Sequence, residues 1–287
     1  MKQKSRLKVR NKHFSEIALN ARKNTLAQIY NAKSGHPGGS LSCIEILVSI
    51  FLDVHNKSEE LKLILSKGHA APAFYAVAAE FGLLSFKDLY SFRKINGKLQ
   101  GHPHIGSTPW VISSTGSLGQ GFSAAVGISL ALKHKKELKS MVYSVIGDGE
   151  LQEGEIWEGA MFAAHHSLSN LCVFIDYNKM QSDDLNKNIM NLEPLVKKWE
   201  AFNWNVLEID GHNHDALLDG INFSNKSNDK PTIIIANTIK GYGVSFMEAV
   251  PTWHGSVTMK ESEFIDSLKD LNANDEEIKK YLNNEIW

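Results

Sequence analysis

Apolar residues in this chain recur in two rhythms that alternate along its length. Phe14, Ile17, Ala18, Ala21, Leu26, Ile29 and Tyr30 fall at spacings near three and four, which predicts a helix over 13–32. SGHPGGS (34–40) breaks it. Ile44, Leu47, Val48 and Phe51 then resume helical spacing, and Ser42-x-x-Glu45 is placed to act as a capping box. Short, largely apolar runs at 61–65, 141–146, 171–176, 206–209 and 232–236 read as strands. Helical patterns over 71–81, up to about 133, over 153–166 and over 215–221 separate them, and two short charged helices fill 260–283. Strands alternating with helices predict a three-layer α/β/α fold around a mostly parallel, doubly wound sheet. The expected organisation is a basic tail over 1–12, a single domain over 13–258 and a helical extension of that domain over 259–287.

Composition narrows the function classes. With 287 residues and 43% hydrophobic content the chain can bury a large core, and its formal charge of −1 offers no surface for nucleic acid. The basic run MKQKSRLKVRNK lacks an apolar continuation and reads as a solvated tail. No signal peptide and no apolar stretch of about twenty residues is expected, so no membrane span is predicted and the cytoplasm is the default. Cys43 and Cys172 lie in helical and strand patterns and are expected in the core, with no disulfide or zinc site.

The segment 141–181 carries the chemistry. Gly147-Asp148-Gly149 follows one predicted strand and precedes a helix, so its glycines allow backbone amides to approach an anion and the helix N-terminus faces the same crevice. Asn178 ends the next strand, thirty positions on. One right-handed crossover brings Asp148 and Asn178 to one sheet edge, where a carboxylate, an amide oxygen and the Met180 carbonyl suit a hard cation such as magnesium.

This segment resembles the thiamine diphosphate fingerprint, and GDGELQEG is similar to transketolases. SGHPGG, SKGHA, GHP, TGSLGQG, the DYNK segment and KGYG…WHG extend the resemblance, in order, over about 13–258. It covers the first half of that family's usual chain. The resemblance therefore implies the N-terminal subunit of a split transketolase, active only with a C-terminal subunit that carries the pyrimidine-binding and C-terminal domains, in an α2β2 assembly. The implied cofactors are thiamine diphosphate and Mg2+, with Ca2+ or Mn2+ able to substitute. The implied reaction moves a two-carbon ketol unit from a ketose to an aldose, with sugars or sugar phosphates as substrates. A decarboxylating carboligase half similar to 1-deoxyxylulose-5-phosphate synthase, or a non-catalytic scaffold subunit, is the alternative.

Residue by residue, the resemblance makes Asp148, Asn178 and the Met180 carbonyl the metal ligands. Gly116, Gly147 and Gly149 would contact the cofactor by backbone, and Leu118 would pack near its aminopyrimidine. Glu153 would link cofactor sites across the subunit interface; a first-turn Glu favoured by the helix dipole is its other reading. His36 and His254 would stabilise the oxygen at the carbonyl under attack, while His69 and His102 would bind hydroxyls and the cofactor's diphosphate side. His104, His165, His166, His212 and His214 match no motif and are expected to be surface or structural. Ser182 stands where the family commonly carries a β-branched apolar residue, which makes that wall of the pocket more polar.

Overall fold

The computed structural model describes residues 2–57, 59–137, 140–255 and 257–287, with side chains from residue 13 onward, so the side chains of the basic run 1–12 lie outside the described residues. Five strands form one sheet: β1 (Leu63–Leu65), β2 (Val142–Gly147), β3 (Leu171–Tyr177), β4 (Asn205–Asp210) and β5 (Thr232–Asn237). Their order is β1-β2-β3-β5-β4 and every pairing is parallel. The helices are α1 (Lys2–Ala32), α2 (Pro37–Leu41), α3 (Ile44–Lys57), α4 (Ala71–Glu80), α5 (Phe86–Leu89) and α6 (Gln120–His134), then α7 (Gly154–His165), α8 (Asn186–Ile189), α9 (Leu195–Ala201), α10 (His214–Ser224), α11 (Glu261–Asp270) and α12 (Asp275–Leu282).

Strand side chains alternate between two cores, as the period of two requires. Tyr143, Val145, Cys172, Phe174, Ile234 and Ala236 face the layer that holds α1, α3, α4, α10 and α11. Val142, Ile146, Val173, Ile175, Ile233 and Ile235 face the layer of α6, α7 and α9. Both faces are covered, so the three central strands are buried along their length or nearly so and read as continuous apolar runs. β4, at one edge, alternates between half-buried and exposed positions. Cys43 and Cys172 are free and fully buried, as expected.

Two expectations change. Pro37–Lys57 is 21 residues long and apolar enough to cross a membrane by length and composition, but 94% of its most apolar 18-residue window is buried inside the domain, so its apolar character serves the core. The Ser42–Glu45 capping box does not form. Ser42 donates instead to Gly39 O (3.2 Å) and to Asp176 Oδ2 (2.5 Å), and Glu45 ion-pairs with Arg22. A buried carboxylate on β3 and a buried guanidinium on α1 both offer charge-assisted bonds, which outcompete a neutral helix cap.

Candidate active site

Parallel strands place all their carboxyl ends on one edge, and four of those ends build the site. Gly147 of β2 stands opposite Asp176 of β3, so Asp148 and Asn178 each emerge just beyond the sheet. Asp148 is 2% exposed. Its Oδ1 accepts from Gly149 N (2.9 Å), and its Oδ2 accepts from Lys179 N (2.5 Å) and Asn186 Nδ2 (2.9 Å). Asn178 Oδ1 accepts from Met180 N (3.2 Å), so the turn holding Asn178 and Met180 is tied to Asp148 through its own backbone. Burial, and then the neighbouring Asp176, push the Asp148 carboxyl up to about 7. A cation bound here would relieve that strain on the ionised form. Among the described residues no three His, Cys, Asp or Glu side chains converge on a metal site; the donor set is one carboxylate, an amide and a carbonyl, which is oxygen-only chemistry.

Behind this edge lies a buried charge network that the sequence reading did not single out. Lys67, just after β1, donates to Asp176 Oδ2 and to Gly39 O (2.9 Å). Asp176 is fully buried and also accepts from Ser42 and from Thr238 Oγ1. Burial alone would neutralise this pair, but each partner's charge outweighs it, holding the lysine above and the aspartate below its ordinary range. Glu150 closes the Gly-Asp-Gly turn: Oε1 accepts from Gly119 N (2.9 Å) and Ser66 Oγ (2.5 Å), Oε2 from Gly147 N (3.0 Å). Lys240, beyond β5, donates to Gln181 O (2.5 Å) and meets His254 Nδ1 at 2.7 Å. Burial, then the charge of Lys67, bring this ammonium down to about 8. Its signal in the sequence was a lysine in a matched motif, KGYG, as Lys67 was in SKGHA.

Three histidines from distant parts of the chain face one another. His36, at the N-cap of α2, lies 5.3 Å from His69 and 5.8 Å from His254 between ring centroids, and His69 lies 5.4 Å from His254. Gly255 makes the approach possible, since a Cβ there would stand 1.9 Å from the His36 ring. His102 packs over Gly116, whose φ of +129° and 2.9 Å clearance to that ring admit only glycine. Burial, and then the cationic groups around them, bring His36 down to about 4 and His254 to about 3, and hold His69 and His102 below their ordinary value. These imidazoles are neutral near pH 7. Because the Lys240 ammonium can only donate, His254 Nδ1 accepts and its Nε2 carries the proton. His36 Nδ1 is buried with no hydrogen-bond partner.

A cleft of about 270 Å³ joins these groups: His36, His69, His102, Gly116, Leu118, Gly147, Asp148, Gly149, Asn178, Met180 and His254 line it, together with Lys67, Glu150, Gln181, Ser182 and Lys240. Glu153 stands apart, exposed at the N-cap of α7, beside Gly119.

His212, expected to be surface or structural, belongs to the frame of this cleft. Its ring stacks on Tyr242 at 3.6 Å, its Nδ1 meets Glu45 Oε2 at 3.1 Å, and its Nε2 accepts from Ile239 N (2.9 Å). An acceptor at Nε2 leaves the proton on Nδ1, facing the carboxylate. Glu45 also pairs with Arg22, which donates to Tyr242 O (3.1 Å). Together these groups hold the loop that presents Lys240. His214 is buried and stacked on Phe14, a structural position as expected.

The polar groups of the cleft point to one class, an α/β protein that grips a small anionic cofactor at the carboxyl edge of its sheet. Comparison with known proteins narrows the class. Residues 15–281 match the family described as transketolase, thiamine diphosphate binding domain, and the chain belongs to that family. It is 43% identical over 247 residues to the 6-deoxy-6-sulfo-D-fructose transketolase subunit SqwG of Clostridium sp. (strain MSTE9), covering 84% of this chain and 90% of that one. It is 41% identical over 239 residues to an apulose-4-phosphate transketolase subunit of Actinobacillus succinogenes, covering 80% and 86%. The transketolase structure from Campylobacter jejuni superposes with a TM-score of 0.83 at 28% identity, over 91% of this chain and 43% of that one. The chain thus spans less than half of that enzyme's length.

Proposed function

We propose that this chain supplies the diphosphate and divalent-cation half of a two-protein transketolase, working with a C-terminal subunit that carries the pyrimidine-binding and C-terminal domains in an α2β2 assembly in the cytoplasm. The observation that carries the reading is the convergence of Asp148, Asn178 and Met180 with His36, His69 and His254 on one cleft. The residues fit the cofactor. An acidic oxygen set with a carboxyl raised to about 7 suits Mg2+, with Ca2+ or Mn2+ as substitutes, and Lys240 and the Gly147 and Gly149 backbone suit a diphosphate. Bound thiamine diphosphate supplies the carbon nucleophile that carries the two-carbon unit from ketose to aldose.

The chain's own groups position and protonate. Neutral His254 offers Nε2–H, and His36 offers its imidazole from the same wall of the cleft, to the oxygen of the carbonyl under attack. His69 and His102 bind hydroxyls and the diphosphate side, and Leu118 covers the aminopyrimidine. Glu153, exposed at the N-cap of α7, links the cofactor sites across the subunit interface. The subunit names of the relatives favour transketolase over a decarboxylating carboligase or a scaffold. Co-expression with the partner subunit tests the reading: ketol transfer should require both proteins, thiamine diphosphate and Mg2+. Ketol transfer by this chain alone, or none by the complete mixture, overturns it.

A further inference from the structure

A second cleft, of about 510 Å³, opens away from the catalytic one and shares no lining residue with it. It lies at the opposite edge of the sheet, where Leu61 leads into the amino end of β1. Phe51 and His55 of α3 form one wall, Phe81 and Leu83 after α4 a second, and Trp110 with Ile112 the third. The walls are aromatic. The Phe81 ring sits 5.3 Å from Phe51 and 5.9 Å from His55 between centroids, and Phe74, behind them, meets Trp110 edge-on at 4.7 Å. A backbone turn keeps the cleft open. Gly82 N donates to Ala79 O (3.0 Å) and Leu83 N to Ala78 O (2.9 Å), the paired bonds of a Schellman motif that ends α4. Gly82 takes the left-handed φ of +74° that this motif needs, and beyond its chain neighbours nothing lies within 4 Å of where a Cβ would stand. Leu83, held by the same turn, stays 41% exposed.

Charge marks the rim, which Glu59 and Glu60 line. The lysines beside them in the chain are taken, since Lys62 pairs with Glu60 (3.0 Å) and Lys57 with Asp53 (2.7 Å). Glu59 is fixed by a bond from its N–H to Val54 O (3.2 Å), and its carboxylate joins no ion pair among the described residues. An aromatic cleft of ligand size with one carboxylate left over at its entrance complements a ring that carries a positive charge. An anion would meet both that carboxylate and the negative faces of the rings.

We propose that this cleft binds a small aromatic ammonium compound, with its ring among Phe51, Phe81 and Trp110 and its charged nitrogen at Glu59. The site is separate from ketol transfer and does not depend on that reading. Its third wall continues along the chain to Gly116 and Leu118 of the catalytic cleft, so an occupant is placed to bear on the cofactor's surroundings.

The test is calorimetric titration of the full chain, and of its complex with the partner protein, with three probes that share a phenyl ring. Phenethylamine is the cation, 2-phenylethanol the neutral form and 3-phenylpropionate the anion. Phenethylamine should bind with a Kd on the order of 0.1–1 mM, which is what a ligand of this size reaches in a preformed pocket. The alcohol should bind roughly 3–10-fold more weakly, the range for one partly exposed cation–π or ionic contact, and the anion more weakly still. Glu59→Gln should erase the preference for the cation and leave the affinity for the alcohol unchanged. Leu83→Trp, which fills the cleft, should abolish binding of all three. Both positions are exposed, so each variant should keep the wild-type Tm. Equal affinity for the three probes, no measurable binding, a cation preference that survives Glu59→Gln, or binding that survives Leu83→Trp overturns the proposal. Binding by the chain that vanishes in the complex overturns it too, because the cleft would then be a seat for the partner protein.

Discussion

The floor and the mouth of the cleft are built on different principles. Floor residues come from strand ends: Asp148 and Asn178 each follow a strand whose register with its neighbour is fixed over six or more residue pairs. Neither can move without moving the sheet. Mouth residues come from loops, where His36, His102 and His254 are held by side-chain packing, glycine clearances and single polar bonds. The floor is therefore the part a fold conserves by geometry, and the mouth is the part that can change substrate without disturbing it.

The sharpest way to break this comparison is at the floor. Asp148→Ala removes the anionic oxygen from the cation set, so cofactor-dependent turnover of the reconstituted complex should be abolished and excess Mg2+ should not restore it. Wild-type turnover at low Mg2+ and cofactor would remove Asp148 from the metal site. At the mouth, His254→Ala should lower turnover by roughly 10²–10⁴, the range for a positioned proton-transfer group, with cofactor binding retained; single-turnover donor cleavage on cofactor-saturated complex reads this directly. Unchanged cleavage would show that the mouth is structural there.

Lys67→Met probes the layer beneath both. Leaving Asp176 charged and buried should cost about 3–5 kcal/mol of stability, measured by urea denaturation of the isolated chain. The smallest effect is in pH. His36 and His254 fall from an ordinary 6.5 to about 4 and about 3, so the unfolded chain binds more protons than the folded one across that window. Their contribution is complete above about pH 6.5 and is lost as pH falls toward 4. Asp148, raised to about 7, acts with the opposite sign over the same range. His254→Asn should therefore flatten the acid limb of the stability profile, and a limb as steep as wild type would refute the neutral assignment.

The same contrast explains what the sequence disclosed. Sheet order aside, the strands and the Asp148–Asn178 crossover were legible because short apolar runs and a Gly-Asp-Gly turn are local patterns. The four histidines were legible only as motif members. Lys67 and Asp176 were not legible as partners, because 109 positions separate them and a lysine beside an apolar strand gives no sign of where its ammonium points. His212, expected to be surface or structural, is structural, but its place in the frame of the cleft was not legible, because it depends on which distant neighbours supply a charge. The capping box at Ser42 failed through the same blindness, since the local motif was intact and a distant carboxylate took its hydroxyl.

The loop that carries Lys240 has a further consequence, for the order in which the protein acquires its structure. Arg22 meets the Tyr242 carbonyl across 220 positions, and Glu45 meets His212 across 167. Contacts of that separation close very large loops, whose entropic cost falls before any local reward is gained. During synthesis Arg22 and Glu45 can pair with each other early, but their bonds to Tyr242 and His212 must wait until almost the whole domain has emerged. Competence to hold a cofactor is thus a late event in folding, and cofactor retention reports completion of the fold more faithfully than helix content does.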